Sequence, residues 1–259
     1  MGNNEYEYRG LVARSWDFIR GDTTKFPDRG YYRDIIKNDG EPSLIVGCGT
    51  GRLLLEYLAD GLDVEGIDVS PEMLEICKRK AARQSLKATV HTMAMESMDL
   101  QRSFNSIIVP SSSFQLVPDL VAAKEALKRF FEHLLPGGQL VISIWHILKE
   151  GTDEWGDWWQ VAEREGFEEG KSIRRWERSR YDSNTQLRHT ENRYEIIKNG
   201  EVVYSEFYQQ SPELRNYSPG QLTEMLDVIG FSNIHTFSGF TNEPATEEDE
   251  VFCIFGSRE

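Results

Sequence analysis

The residues best suited to chemistry in this chain of 259 residues are three closely spaced glycines and one acid. The glycines Gly47, Gly49 and Gly51 follow the apolar run Leu44-Ile45-Val46, and Asp68 ends a second apolar run. Glycine lets the backbone turn sharply and approach a ligand closely, and a helix after such a turn presents its N-terminal N–H groups to that ligand. A carboxylate is suited to accept hydrogen bonds from a ribose diol. The pattern predicts a nucleoside-cofactor site at the edge of an α/β sheet.

The position of the third glycine separates two classes of cofactor. The dinucleotide pattern G-x-G-x-x-G/A needs a small residue where this chain has Arg52, and the third glycine here is Gly51. A long side chain at position 52 would crowd the pyrophosphate of a dinucleotide. S-adenosylmethionine has no pyrophosphate, so the sequence favours it as the cofactor. A nicotinamide-dependent oxidoreductase remains the alternative.

The segment from Leu44 to Ala82 resembles the cofactor-binding segment of class I S-adenosylmethionine-dependent methyltransferases, and the SSSF loop at residues 111–114 resembles their small-molecule branch. The resemblance rests on the runs LIVGCGTGR and GIDVSPEML. It implies that the glycine loop passes under the methionine tail, that Asp68 binds the ribose hydroxyls, and that Val69 and Met73 lie near the adenine. The cofactor-binding residues implied in this segment are Gly47, Cys48, Gly49, Gly51, Asp68, Val69 and Met73.

Outside this segment, the candidate site residues follow the later strands or lie in two flanking segments. The family usually places an acid directly after its third strand, where this chain has Ala94-Met95-Glu96. We therefore expect the Met95 backbone or the Glu96 carboxylate to bind the adenine. Further cofactor candidates are Ala94, Pro110 and Trp16; substrate candidates are Phe114, Trp145, Arg188 and Tyr208; and His146 is the candidate general base.

The elements that must position these residues follow from the periodicity and from the resemblance. Together they imply an α/β, Rossmann-like fold: a seven-stranded, mostly parallel sheet in the order 3-2-1-4-5-7-6, with helices on both faces. We expect a single domain over residues 1–259, in which residues 1–38 form a helical lid and residues 149–217 form an antiparallel insertion that caps the substrate. The elements expected in these two segments are helices at 10–20 and 28–38, a helical stretch around Trp155–Trp159, and strands near 172–182, 186–198 and 202–211.

Composition excludes several other functions. The net charge of −14 argues against nonspecific binding of nucleic acid, which depends on Lys and Arg. No apolar stretch approaches the length of a membrane span, and no signal-peptide pattern is present, so we expect a cytoplasmic protein. The spacing of Cys48, Cys77 and Cys253 does not suit a metal, and we expect all three to be core residues.

The activity expected from these observations is methyl transfer to a nitrogen or oxygen of a small molecule. The partners expected are a small-molecule substrate, with no nucleic acid, no membrane and no metal, and a homodimer is left open. The lone His146 does not by itself define a catalytic base, so a non-catalytic S-adenosylmethionine-binding protein is the other alternative.

Overall fold

The computed structural model describes residues 8–148 and 153–259, and only the backbone of residues 210–212. The first seven residues of the predicted lid and the first four of the predicted insertion lie outside the described residues.

In the part that is described, eleven strands are present: β1 Ser43–Val46, β2 Val64–Asp68, β3 Thr89–Thr92, β4 Phe104–Val109, β5 Leu134–Trp145, β6 Trp159–Glu168, β7 Lys171–Asp182, β8 Leu187–Lys198, β9 Glu201–Arg215, β10 Ser232–Ser238 and β11 Val251–Ser257. The α-helices in the same residues are α1 Gly10–Arg20, α2 Asp28–Asp39, α3 Leu54–Ala59, α4 Pro71–Arg83, α5 Leu120–His133 and α6 Pro219–Ile229.

The chain divides into two units. The parallel-sheet unit comprises residues 26–148 and 215–259, and the antiparallel unit comprises residues 1–25 and 149–214. The two predicted lid helices fall in different units, because α1 belongs to the antiparallel unit and α2 to the parallel-sheet unit. The lid and substrate-cap roles of these segments, and a single domain over the whole chain, stay predictions.

The sheet of the parallel-sheet unit has the predicted strand order. Its described strands run β3-β2-β1-β4-β5-β11-β10, and β11 is antiparallel to both of its neighbours. The pairs from β3 to β5 are parallel. The prediction of a Rossmann-like, mostly parallel sheet in the order 3-2-1-4-5-7-6 is therefore confirmed.

Helices cover both faces of this sheet, as the alternation of side chains along β1 illustrates. Leu44 and Val46 lie in one apolar cluster with residues of α5 and α6, and Ile45 lies in a second cluster with residues of α2, α3 and α4. Successive strand residues point to opposite faces, so one short apolar run serves both clusters. Burial on both sides fixes the plane of the sheet, and with it the edge where the strands end.

Local capping residues set the starts of the helices near that edge. The Ser70 hydroxyl accepts a hydrogen bond from the Met73 N–H at 3.1 Å and begins α4. The Asp119 carboxylate accepts hydrogen bonds from two N–H groups in the first turn of α5. Ser218 and Gln221 form a reciprocal capping box at the start of α6. Each cap satisfies N–H groups that have no partner inside the helix.

The antiparallel unit contains a second sheet, in which the described strands run β6-β7-β8-β9. The three strands expected after residue 171 are confirmed, but the helix expected around Trp155–Trp159 is wrong. Residue 159 begins β6, which pairs with β7 from Trp159 opposite Glu177 to Glu168 opposite Lys171. The Arg178 guanidinium lies 5.0 Å from the Trp155 ring centroid and 5.1 Å from that of Trp158. The two tryptophan rings thus pack against an arginine of the neighbouring strand β7. Helical periodicity does not predict this contact.

Two smaller findings concern β5 and the cysteines. Strand β5 begins at Leu134, ahead of Pro136 and two glycines, and the Gly137 N–H donates to the Arg258 carbonyl. Cys48, Cys77 and Cys253 are buried free thiols, so their predicted core positions are confirmed. Burial raises the pKa of Cys253 to about 12. No helix in the described residues has the length and apolarity that crossing a membrane requires.

Candidate functional site

The glycine loop between β1 and α3 requires glycine for its backbone and for its close packing. Gly47, Gly49 and Gly51 have φ of 68°, 54° and 84°, in the left-handed region that L side chains rarely adopt. A Cβ at Gly47 would lie 2.7 Å from the Ser113 Oγ, and a Cβ at Gly51 would lie 2.6 Å from the Cys77 Sγ. At Gly49 the nearest atom would be a carboxylate oxygen of Asp68, at 4.0 Å. The middle of the loop therefore has the most room for a ligand.

Asp68 ends β2 beside this loop, and its carboxylate is held by two backbone donors. One oxygen accepts from the Gly49 N–H at 2.8 Å, and the other accepts from the Ser70 N–H at 2.8 Å. Burial raises the pKa of Asp68 above its ordinary value, and the two N–H donors oppose that rise. A carboxylate has about four acceptor positions. This arrangement leaves capacity for the two hydroxyls of a ribose, the ligand predicted for Asp68.

The other residues predicted near the adenine follow β2 and β3. Val69 is 40% exposed, whereas Met73 is buried at the start of α4. The Met93 N–H donates to the Asp68 carbonyl at 3.1 Å, so the chain after β3 runs beside the end of β2. The half-buried residues Ala94, Met95 and Glu96 follow there. The structure thus brings the predicted adenine residues to the same edge as Asp68, and their contacts with adenine stay predictions.

Arg52 is a site residue whose partners the sequence did not reveal. Its guanidinium forms a two-bond ion pair with the Asp28 carboxylate, including an Nη1–Oδ1 contact of 3.0 Å. It also lies over the Phe26 ring, 5.7 Å from the centroid, and donates to the Ser111 hydroxyl at 3.3 Å. Asp28 and Ser111 are 24 and 59 residues from Arg52 along the chain, and no local pattern connects them.

The turn after β4, Pro110–Ser113, lies against the glycine loop and has an unusual backbone. Ser111 and Ser112 have φ of 55° and 60°, and the Ser113 hydroxyl donates to the Pro110 carbonyl at 2.7 Å. We call these four residues the serine turn. Phe114, a predicted substrate residue, is fully buried in an apolar cluster, with its ring centroid 5.4 Å from that of Tyr217. The structure gives this ring a packing role, and its contact with substrate is untested.

Trp145 and His146, which end β5, differ in their surroundings. The exposed Trp145 has its backbone N–H and carbonyl bound by the side-chain amide of the buried Gln115. His146 is buried against Phe252, and its Nδ1 faces the Asp249 carbonyl at 3.3 Å. Because a carbonyl only accepts, Nδ1 carries the proton and Nε2 is the nitrogen left to act as a base. That catalytic role stays a prediction.

The remaining candidates, Trp16, Arg188 and Tyr208, lie in the antiparallel unit and have partners within it. Arg188 forms an ion pair with the buried Glu177. The buried Tyr208 donates its hydroxyl to the Arg9 carbonyl at 3.0 Å. The Trp16 ring packs edge-on against Tyr8, with the centroids 5.2 Å apart. Their predicted contacts with cofactor or substrate are untested. Residues 8–148 and 153–259 contain no group of three or more side chains suited to hold a metal ion.

The sheet order, the glycine loop after β1 and the acid at the end of β2 are the features expected from the resemblance to class I methyltransferases. Residues 44–138 match the family model described as a methyltransferase domain. The matched residues include the glycine loop and Asp68, and both the match and the fold agree with the predicted class.

Comparison with known proteins gives both sequence relatives and structural neighbours. The chain is 35% identical over 149 residues to dTDP-3-amino-3,6-dideoxy-alpha-D-glucopyranose N,N-dimethyltransferase of Streptomyces fradiae, covering 54% of this chain and 55% of the relative. The chain spans about half the length of the curated relatives it matches.

Two solved structures resemble the chain over most of its length. The CcbJ methyltransferase of Streptomyces caelestis superposes with a TM-score of 0.74 at 18% identity, covering 96% of each chain. CalS10, an amino pentose methyltransferase of Micromonospora echinaspora solved with S-adenosylmethionine bound, gives a TM-score of 0.68 at 20% identity, covering 99% of this chain and 100% of that one. At these identities the likeness concerns the fold.

Proposed function

We propose that this chain transfers a methyl group from S-adenosylmethionine to a nitrogen of a small molecule, and that amino sugars are the substrate class to test first. One observation carries the proposal: the Asp68 carboxylate lies 2.8 Å from the Gly49 N–H, so the glycine loop and the ribose-binding acid form one site at the end of β1 and β2. The matched methyltransferase domain covers both parts.

The residues of this site suit the proposed cofactor. The glycine loop has room at Gly49 for the methionine part, and Asp68 retains acceptor capacity for the ribose hydroxyls. In this proposal the adenine lies beside residues 94–96, and either the Met95 backbone or the Glu96 carboxylate binds it. Arg52 is bound to Asp28 at the position where a dinucleotide pattern needs a small residue, which disfavours the nicotinamide alternative. When bound, the cofactor supplies a methyl group already activated on a positively charged sulfur.

A nitrogen acceptor fits these surroundings better than an oxygen acceptor. A neutral amine attacks a methyl sulfonium directly, so the protein chiefly has to hold the amine in line with the methyl and exclude water. A hydroxyl needs a base, and the sequence candidate for that base, His146, is buried. The Streptomyces fradiae relative is named for dimethylation of the nitrogen of an amino sugar, and CalS10 for an amino pentose. The net charge of −14 supports a small acceptor over a nucleic acid.

Calorimetric titration tests the cofactor. S-adenosylmethionine, its demethylated product S-adenosylhomocysteine, and NADH are titrated into the native chain and into Asp68→Asn. The matched control is Asp63→Asn, since Asp63 precedes the opposite end of β2 and is paired with Arg102. We expect Asp68→Asn to weaken binding of both adenosyl ligands about tenfold or more, the effect of losing a charge-assisted hydrogen bond. The Asp63→Asn variant is expected to bind as the native chain does.

A transfer assay then tests the reaction. Nucleotide-linked amino sugars, simple amines and phenols are incubated with the protein and S-adenosylmethionine, and methylated products are detected by mass spectrometry. Methylation of an amine supports the proposal, whereas methylation confined to phenols would move the acceptor to oxygen. Binding of NADH without binding of either adenosyl ligand would refute the methyltransferase proposal. Tight adenosyl binding with no transfer to any acceptor would favour a non-catalytic binding protein. The compartment and a homodimer stay predictions.

A further inference from the structure

The Arg52–Asp28 pair is built to be rigid. Asp28 is 5% exposed at the first residue of α2, and Arg52 binds both of its carboxylate oxygens. The guanidinium also covers the Phe26 ring. Only arginine combines a flat two-bond fork with stacking on an aromatic ring, because lysine carries a compact charge on a flexible stem. The pair therefore fixes the position of the Arg52 side chain.

This fixed side chain joins three segments that are distant in sequence. Arg52 directly follows Gly51, the last glycine of the loop, and Asp28 begins α2. The same guanidinium donates to the Ser111 hydroxyl of the serine turn at 3.3 Å. The start of α2, the glycine loop and the serine turn are thus connected through one group.

The serine turn needs such support. Ser111 and Ser112 both occupy the left-handed region, where a residue with a Cβ is strained, and such strain persists only where neighbouring structure holds it. The turn also packs against the loop, since the Ser113 Oγ lies 2.7 Å from the position that a Cβ of Gly47 would occupy. A change in the turn is therefore passed directly to the glycine loop. Strained backbone of this kind concentrates at functional sites.

We propose that Arg52 is a positioning residue for the cofactor site, which holds the glycine loop and the serine turn in one arrangement by way of Asp28 and Ser111. The inference rests on the proposed function, because the ligand that it concerns is the adenosyl cofactor. Arg52 acts through the backbone of these two segments. The affinity for the cofactor consequently depends on the Arg52–Asp28 pair as well as on Asp68.

The test measures dissociation constants of S-adenosylmethionine and S-adenosylhomocysteine by calorimetry, with the melting temperature of every variant. Arg52→Gln and Asp28→Asn each break the pair, and Arg52→Lys keeps the charge alone. The matched control is Arg102→Gln, because Arg102 makes the same kind of two-bond pair with Asp63, before the opposite end of β2. We expect Arg52→Gln and Asp28→Asn to weaken both ligands about tenfold, the order of effect of misplacing a binding group. The dissociation constants of Arg52→Lys are expected to lie between those of these two variants and those of the native chain. The dissociation constants of Arg102→Gln are expected to stay within about twofold of the native values.

The outcomes separate the inference from the proposed function. If the native chain binds neither adenosyl ligand, the proposed function fails and the inference fails with it. If the native chain binds and Arg52→Gln binds within about twofold of it, the inference is overturned while the proposed function stands. If Arg52→Gln does not fold, Asp28→Asn and Ser111→Ala decide, and unchanged affinity in both overturns the inference. An equal loss of affinity in Arg102→Gln would show a general effect of stability and would also overturn it.

Discussion

Replacement of Gly51 by alanine tests the loop geometry most directly. Gly51 has φ of 84°, and a Cβ there would lie 2.6 Å from the Cys77 Sγ and 2.8 Å from the Leu55 Cγ. Both distances are shorter than any ordinary carbon contact. Because Leu55 and Cys77 are buried in α3 and α4, neither has space to withdraw. We therefore expect Gly51→Ala to destabilise the fold by a backbone effect and by a packing effect.

The magnitude follows from three contributions. A left-handed backbone costs an L residue about 1–2 kcal/mol. Forcing a methyl group into a filled core costs about 1–3 kcal/mol more. The smaller freedom of alanine in the unfolded chain returns about 0.4–1 kcal/mol. The expected loss in the free energy of unfolding for Gly51→Ala is therefore about 1–5 kcal/mol.

Gly61 provides the matched control, and urea denaturation followed by circular dichroism provides the measurement. Gly61 has φ of 83°, nearly that of Gly51, but a Cβ there would meet nothing within 4 Å. Gly61→Ala should therefore lose only the backbone contribution, about 1.6 kcal/mol or less. The double variant Gly51→Ala with Cys77→Ala should lose about 1 kcal/mol less stability than the two single losses added together, because Cys77→Ala removes the nearest obstructing atom. Equal losses for Gly51→Ala and Gly61→Ala would refute the claim that packing requires glycine in the loop.

Two further predictions concern the ends of the strands. Burial raises the folded-state pKa of Asp68 above its unfolded value of 3.8. The folded chain therefore takes up the proton first, and the native chain should gain stability relative to Asp68→Asn as the pH falls through the folded pKa. The same stability is lost as the pH rises through that pKa. Binding of S-adenosylhomocysteine needs the ionised carboxylate, so its affinity should weaken over the same fall in pH in the native chain but not in Asp68→Asn. Calorimetry across pH checks the affinity, and thermal unfolding across pH checks the stability. An affinity of the native chain that does not change with pH would contradict the ribose role of Asp68. Gln115→Ala should cost about 2–4 kcal/mol in urea denaturation, because the Trp145 N–H and carbonyl and the Arg215 carbonyl lose their amide partner. The exposed Gln84→Ala is its control, and a loss as small as that of the control would contradict this account.

The sequence predicted the elements whose determinants are local. Ser70, Asp119 and Ser218 each cap N–H groups in the first turn of the helix that follows, so these helix starts depend on neighbours along the chain. The apolar runs that end at Val46 and Asp68 placed the glycine loop and the acid at one edge of the sheet. That edge follows from topology, because parallel strands end together. The position of the glycine loop beside Asp68 could therefore be predicted from the sequence.

Tertiary contacts decided the rest. The substrate contact of Phe114 stays a prediction, and the structure adds that its ring packs against Tyr217, which is more than 100 positions away in sequence. The sequence identified Arg52 only as an obstacle to a dinucleotide, whereas the structure makes it the partner of Asp28 and Ser111. The stretch that begins at Trp159 became a strand because β7 pairs with it. In each case the deciding partner is brought close by the fold alone, and periodicity, which describes neighbours along the chain, carries no information about it.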